Sequence, residues 1–292
     1  MDVVITYVDG SDPFWQAEYS KATSTPVQTK RYRDWGFFRY LLRGVETHLP
    51  FVGNVFLVVA SESQVPSWID RRNVRVVLHK DIIPARFLPV FNSTAIECFL
   101  HRIDGLSEQY LYFNDDMYPL RDCIPEDFYD RGRAAIGFSR HIFATGLYKK
   151  QVRSSDRLAS QVAGRRLRPF FVRPQHICSP MLKSVCEELA EKAGDRMEAT
   201  VTMLREEHNV NQYVFLDYML FTGRAVSRRI SRKHFSMKVA SPGRIADFIV
   251  TPDASFACIN DVEMDGARQK LFKETITEAF ESHFPQKSKF EI

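Results

Sequence analysis

The octapeptide Tyr110-Leu-Tyr-Phe-Asn-Asp-Asp-Met117 constrains this chain more than any other segment. Its bulky apolar half fits a strand buried on both faces. Its second half places Asn114, Asp115 and Asp116 just past the end of that strand. Open α/β sheets bind ligands outside the carboxyl ends of their strands, so such a strand delivers acids to the ligand edge. Two acids there can hold a divalent cation against a phosphate. Asn and Asp are also turn residues, so the tripeptide taken alone reads more readily as a turn.

The flanking pattern favours the sheet. Residues 3–8 and 54–60 are strand-like, 35–49 carry Phe38, Leu41, Leu42, Val45 and Leu49 at helical spacing, and Pro50 stops that helix. A short helical turn over 68–72, a strand over 74–78 and a helix over 94–103 follow, while 20–30 reads as a flexible loop. Strand, helix, strand, strand, helix, strand is the alternation of a mostly parallel α/β sheet with crossover helices. The expectation is a Rossmann-like core over residues 1–125, completed by about 245–265. A mainly helical, basic lobe over 126–244 and a terminal helix over 266–292 packing on the core complete the chain. Within these, 180–192, 198–207, 210–222 and 267–283 read as helices and 255–259 as a strand. Neither a Gly-x-Gly-x-x-Gly fingerprint nor a Walker A loop is present, which argues against a dinucleotide or P-loop site.

Composition narrows the function classes. A chain of 292 residues that is 45% hydrophobic and 26% charged is ordinary for a soluble globular protein. No apolar run approaches a membrane span. The N-terminal residues 1–8 have neither a basic leader nor a small-residue cleavage site, which leads to the expectation of a cytoplasmic protein with at most peripheral contact at the inner face of a membrane. The five cysteines are scattered without a Cys-x-x-Cys pair, so neither a zinc site nor a disulfide framework is suggested. The net charge of +4 hides a local excess: eight basic residues against Asp156 alone between Lys149 and Arg173. That stretch suits an anionic partner or a solvated loop. A nucleic-acid partner is not expected, because no recognition motif accompanies the charge.

Acids recur at apparent strand ends: Asp9 and Asp12 after the first, Asp115 and Asp116 after the fourth, Asp261 after the late one. On one edge of a sheet they would repel unless cations or arginines intervene, and a metal-bound diphosphate would satisfy them. Arg39 and Arg43, at i and i+4, could grip one anion together, or pair with surface acids such as Glu46. Glu97 lies on a largely apolar helix with His101 four residues on, and His176 follows the basic stretch. A lone histidine is more often structural than catalytic, although histidine is the commonest general base.

Several blocks taken together resemble a known family. Asp2-Val-Val-Ile-Thr-Tyr-Val-Asp-Gly-Ser-Asp-Pro13 resembles the first signature block of the Stealth sugar-phosphate transferases. A second block is similar from Arg39-Tyr-Leu-Leu-Arg43 through Leu88-Pro-Val-Phe-Asn-Ser-Thr-Ala-Ile-Glu97 to Tyr112-Phe-Asn-Asp-Asp-Met117. Arg173-Pro-Gln-His-Ile177, Cys258-Ile-Asn-Asp261 and the ending Phe284-Pro-Gln-Lys-Ser-Lys-Phe-Glu291 resemble later blocks. The family's first block usually reads Trp-Val-Asn where this chain has Tyr7-Val-Asp9.

The resemblance implies a glycosyltransferase-A-related fold. It further implies transfer of a hexose or N-acetylhexosamine 1-phosphate from a UDP-sugar to a hydroxyl of an acceptor glycan or glycolipid, with release of UMP, in capsular or exopolysaccharide synthesis. By similarity the catalytic group falls on Glu97, Asp116, His176 and Arg205. Nucleotide-sugar binding falls on Asp9, Gly10, Ser11, Asp12, Arg39, Arg43, Asn92, Ser93, Asn114 and Asn260. Mg²⁺ (or Mn²⁺) would be held by Asp116 with Asp115 or Asp261, and either His176 or Glu97 would take the acceptor proton. The alternative chemistry is a metal-dependent glycosyltransferase that attacks the anomeric carbon and releases UDP.

Overall fold

The short apolar runs become strands and the amphipathic runs become helices. The computed structural model describes residues 1–25, 27 and 32–292. In chain order its strands are β1 (Asp2–Thr6), β2 (Val55–Val59), β3 (Val74–Leu78), β4 (Gln109–Asn114), β5 (Met117–Pro119), β6 (Tyr129–Asp130) and β7 (Arg133–Ile136). β8 (Phe138–His141), β9 (Phe171–Pro174), β10 (Ser179–Leu182), β11 (Ala225–Ser227), β12 (Arg232–Ser236) and β13 (Phe256–Asn260) follow. The longer helices are α1 (Pro13–Thr23), α2 (Phe38–His48), α3 (Gly146–Val162), α4 (Lys183–Ala193), α5 (Tyr213–Phe221), α6 (Pro242–Val250) and α7 (Gly266–His283).

The central sheet has the order β10-β4-β1-β2-β3 and is rich in parallel pairing, so the fold is α/β as expected. Only β10 is shown antiparallel to its neighbour, with Ser179 opposite Tyr112. β2 is buried at all five positions, which explains why it reads as an unbroken apolar run rather than an alternating one. The smaller sheets are β11-β7-β6, β12-β13-β5 and the pair β8-β9.

The chain divides into two compact units, and it passes from one to the other within β1, β3 and β4. The first comprises Met1–Val4, Val77–Tyr112 and Pro125–Ile230. Its centre is α5, buried on nearly every side, against which α3 and α4 pack. The Tyr129 hydroxyl donates to the Tyr110 and Met181 carbonyls, 2.8 Å from each, and so staples β6 to β4 and β10.

The second unit comprises Ile5–Val76, Phe113–Ile124 and Ser231–Ile292. In it α2 lies close on β5. A Cβ at Gly44 would meet the Pro119 carbonyl oxygen at 2.4 Å, so this approach requires glycine. Arg43 on the same helix holds the end of the chain. Its Nε and Nη2 donate to the Glu291 carboxylate at 2.8 and 2.9 Å and its Nη1 donates to the Phe284 carbonyl. α7 packs on α6, presenting Phe272, Ile276, Ala279 and Phe280 as the sequence pattern anticipates.

Some expectations change. Residues 199–207 are not helical; only Asp195–Glu198 forms a turn of helix there. The Thr200 and Thr202 hydroxyls bond to nearby carbonyls, and Asn209 gathers the strand of chain around its amide, so local side-chain bonding displaces helix. The helix expected over 94–103 breaks into Ser93–Glu97 and a 3₁₀ turn at Leu100–Arg102, because Phe99 leaves the helical region at φ −118°, ψ 0°. Residues 180–182 extend a strand before α4 begins, and 68–72 form no helix. The basic stretch is largely the helix α3, which the charge pattern concealed. Of the loop expected over 20–30, α1 takes the residues up to Thr23, while 26 and 28–30 lie outside the described residues.

Candidate functional site

In the first unit three separate stretches of chain supply Glu97, Arg205 and His176. Asn92 organises the first two. Its side-chain oxygen caps the Ser93–Glu97 helix by accepting from Thr94 N–H at 3.1 Å and Thr94 Oγ1 at 2.8 Å. Its amide nitrogen donates to the Thr202 and Leu204 carbonyls and to Asn209 Oδ1. Asn209, fully buried, accepts from Glu206 N–H and donates to Thr200 O and Thr202 Oγ1. This pair of asparagines fixes the 200–209 segment against the helix start and brings Arg205 Nη2 to 2.5 Å from Ser93 Oγ.

Glu97 is buried, with one carboxylate oxygen accepting from Tyr112 OH at 3.2 Å and the other from Gln212 N–H at 3.0 Å. Burial pushes its carboxyl up to about 7, against the opposing pull of the Gln212 amide, the Arg205 charge, Tyr112 and His176. His176 is half-buried. Its Nδ1 lies 3.1 Å from Tyr213 OH, which in turn lies 3.1 Å from Tyr148 OH, and the Tyr148 ring meets the imidazole edge-on. Tyr112, Tyr148, Asn209, Gln212 and Tyr213 thus serve this site without having been singled out from sequence. For Gln212 and Tyr213, their position at the N-terminal start of α5 was the available signal.

In the second unit the acids of the β1, β4 and β13 ends divide between two tasks. Asp12 caps α1 by accepting from Phe14 N–H, and Ser63 and Gln64 donate to its other oxygen at 2.6 and 2.8 Å. Burial raises its pKa, but the hydrogen bonds from Ser63, Gln64 and the Phe14 and Trp15 amides outweigh that and leave the carboxyl below its ordinary value. Asp9 is tied into the same loop through Ser11 and Gln64. Gly10 has to be glycine, since a Cβ there would lie 2.4 Å from the Tyr32 carbonyl oxygen that accepts its N–H.

The other acids surround two tyrosines. Tyr7 OH donates to Asp34 at 3.1 Å, and burial with the charges of Asp34, Asp9 and Asp115 drives its pKa far up. Tyr118 is raised by burial and by Asp115, Asp116 and Asp34. Asp34 joins the acids already identified, and Asp115 and Asp116 share its field.

β13 does not belong to the central sheet, contrary to the picture of one shared sheet edge. It pairs antiparallel with β5, which begins directly after Asp116, and this pairing brings the β13 end to the Asn-Asp-Asp turn. Ile259 N–H donates to the Asp116 carbonyl, while Asn260 Nδ2 and the Cys258 thiol approach the Asp116 carboxylate at 3.3 and 3.5 Å. Burial holds the Cys258 thiol well above its ordinary pKa, so it remains a neutral donor. Asp261 accepts from Arg33 Nη1 at 3.0 Å and from Val262 N–H; burial raises its pKa and Arg33 opposes the rise. Trp35 adds a further hydrogen bond to the Asp261 carboxylate, while Asn114 Oδ1 is buried without a hydrogen-bond partner among the described residues. An amide oxygen without a protein partner beside the carboxylates of Asp115, Asp116 and Asp261 fits a hard cation such as Mg²⁺.

Of the two helix arginines, Arg43 is committed to Glu291 and Phe284, and Arg39 lies over the Trp68 ring at 5.2 Å, so the structure does not aim them at one anion together.

A family model described as Stealth protein CR2, conserved region 2, matches residues 31–136. The capsular polysaccharide phosphotransferase WcwK of Streptococcus pneumoniae is 30% identical over 335 aligned residues, which cover all of this chain and 99% of that protein. The receptor polysaccharide phosphotransferase WefC of Streptococcus oralis is 46% identical over 138 residues, 44% of this chain and 41% of that one. Among solved structures, the galactosyltransferase LgtC with donor and acceptor sugar analogs covers 99% of this chain and 98% of its own at 14% identity and a TM-score of 0.45, a likeness too distant to bear on chemistry. Similarity along the full length to such a relative, together with the match of the second region, places this chain in the Stealth family of polysaccharide phosphotransferases.

Proposed function

We propose that this protein transfers a sugar 1-phosphate from a UDP-sugar to a hydroxyl of an acceptor glycan, forming a phosphodiester and releasing UMP, in the synthesis of a capsular or exopolysaccharide. The observation that carries this reading is the gathering of Glu97, Arg205 and His176 in one unit from three distant stretches of chain, in a protein whose full-length relative is a phosphotransferase.

The acceptor oxygen attacks the phosphorus that bears the sugar. The bond from that phosphorus to the UMP oxygen breaks, and the acceptor proton passes to the enzyme. His176 suits the proton step better than Glu97. It is half-exposed with one ring nitrogen oriented by Tyr213, whereas both Glu97 oxygens are engaged inside the unit. Glu97 instead stabilises the imidazolium that forms. Arg205, exposed and steadied by Ser93, supplies positive charge for the phosphoryl oxygens. Asp116, Asp115 and Asp261 would hold Mg²⁺ or Mn²⁺, which when bound neutralises charge on the diphosphate. The loop carrying Asp9, Gly10 and Ser11, together with Asn114 and Asn260, orients the nucleotide sugar.

The test is the leaving nucleotide. The protein is incubated with Mg²⁺, acceptor glycans and a panel of UDP-sugars, and the products are resolved by ³¹P NMR. UMP with a new phosphodiester is expected. UDP would mean attack at the anomeric carbon and would overturn the reaction while leaving the site residues in place.

A further inference from the structure

The proposed reaction does not use the basic surface that follows β8. β8 and β9 run antiparallel with His141 opposite Phe171, so both chains leave the ladder at the same end. There Ile142 and Phe143 emerge from one side, 60% and 75% exposed, and Leu167 from the other, 59% exposed. Arginines hold this end together: Arg140 and Arg168 stack on Phe170 at 5.3 and 4.8 Å, and Arg165 and Arg168 both stack on Phe221 at 5.1 Å. Arg166 and Arg157 are exposed nearby in sequence. Asp156 is the single acid between Gly137 and Cys178, and it is buried, accepting from Val172 N–H and facing Arg168 at 3.9 Å. Nothing acidic on this stretch offsets its positive field.

We propose that this surface docks on an anionic lipid bilayer, with Ile142, Phe143 and Leu167 entering the interface and the exposed Arg140, Arg165 and Arg166 facing the headgroups. Exposed apolar tips ringed by guanidinium groups match the headgroup–acyl boundary, where each cation gains from the negative surface potential and each apolar side chain leaves water. A nucleic acid would answer the charge and could stack on Phe143, but it would not answer Ile142 and Leu167, which gain nothing beside phosphates. A second copy of this surface would bring like charges together.

Vesicle co-sedimentation of the full chain decides the matter. Binding is expected to vesicles containing about 30% phosphatidylglycerol and to be weak on pure phosphatidylcholine. It is expected to fall as salt is raised from about 50 to about 500 mM. Arg165→Gln with Arg166→Gln should lower partitioning about 30-fold, given roughly a kcal/mol per charge. Phe143→Ser with Leu167→Ser should lower it at least about tenfold at unchanged charge. All four positions are on the surface, and an unchanged unfolding midpoint checks that the fold is intact. Because all five native cysteines are buried, a Phe143→Cys variant carrying an environment-sensitive dye reports insertion directly by a blue shift. Absence of binding to anionic vesicles at low salt overturns the proposal, as does equal binding of the wild type and both double variants. Self-association that Phe143→Ser dissolves, without vesicle binding, would instead make the surface a contact between copies and would equally overturn it.

Discussion

Glu97→Gln separates the chemistry of the buried acid from its packing. Glu97 is 4% exposed, and its carboxyl is pushed from 4.5 to about 7 by burial. A pKa that is higher in the folded than in the unfolded chain means that the fold prefers the protonated form. The associated stability is therefore fully present below pH 4.5 and is lost as pH rises through about 7. Between pH 5 and 8 a shift of this size removes about 2–3 kcal/mol from the wild type. Glutamine is isosteric and does not titrate. Its oxygen still accepts from Gln212 N–H, and the Tyr112 hydroxyl can turn to accept from its amide nitrogen, so the variant escapes that loss. Relative to wild type, the variant should gain about 2–3 kcal/mol between pH 5 and pH 8, or roughly 5 °C in unfolding temperature. Urea unfolding of both proteins at pH 5, 6, 7 and 8 measures the difference, and the contributions of other titrating groups cancel in it. A wild-type-minus-variant difference that stays flat over this range would refute the reasoning, since Glu97 would then be ionised throughout, as it is in the unfolded chain. Above about pH 7, where the wild-type carboxyl is ionised, transfer by the variant should collapse even though its fold is the more stable, because the imidazolium loses its counter-charge.

Other residues give sharper single readings. Asp116→Asn should abolish turnover with the fold intact, and near-normal turnover measured by UMP release would remove the carboxylate from any metal or phosphate role. Tyr213→Phe deletes the hydroxyl 3.1 Å from His176 Nδ1 and should lower kcat about tenfold and shift the pH–rate profile, with KM little changed; an unaltered profile would show that the hydroxyl does not orient the imidazole. Arg43→Ala leaves the buried Glu291 carboxylate without its partner and should cost about 3 kcal/mol or more, read as a lower urea midpoint; a change under about 1 kcal/mol would mean that the C-terminal clamp contributes little.

The β-strands of the sheet were legible because burial on both faces leaves an unmistakable apolar run, as in β2 and in Tyr110–Phe113. α2 and α7 were legible because one apolar face repeats at helical spacing. α3 was hidden. Its buried face mixes Val152, Leu158 and Ala159 with Gln151, Ser155, Asp156 and Ser160, polar residues satisfied by partners such as Asn211 and Val172, so apolar residues alone do not trace it, and the run of basic residues on its other face draws attention first. The 199–207 segment failed for the opposite reason: its composition tolerates helix, but Asn92 and Asn209 offer its backbone better hydrogen bonds. Glu97 stood out as a carboxylate in an apolar stretch, but only the family resemblance gave it a catalytic role. Tyr213 and Asn209 did not stand out, since an aromatic at the head of a hydrophobic helix and an asparagine in a loop are ordinary, and only long-range pairing gives them a task.

The two units secure their functional groups by different physical means. The acids at the β4 and β13 ends follow from backbone pairing: β5 against β13 sets Asp116 beside Cys258 and Asn260, and Arg33 restrains Asp261. Such acids need only the strands to form, and their mutual repulsion invites a cation. Glu97, Arg205 and His176 instead depend on buried side-chain hydrogen bonds, through Asn92 and Asn209 for Arg205, Tyr112 and Gln212 for Glu97, and Tyr213 for His176. A network of that kind is stable only when every member is satisfied, because each orphaned buried group costs about 1–3 kcal/mol. The apparatus for proton and charge handling therefore tolerates little variation in residues that never touch substrate, while the carboxylate set tolerates change in its neighbours as long as the β5–β13 pairing persists. Strand patterns lead from the sequence to the carboxylate set, whereas Glu97, His176 and Arg205 were named through the family resemblance and the residues that hold them were not.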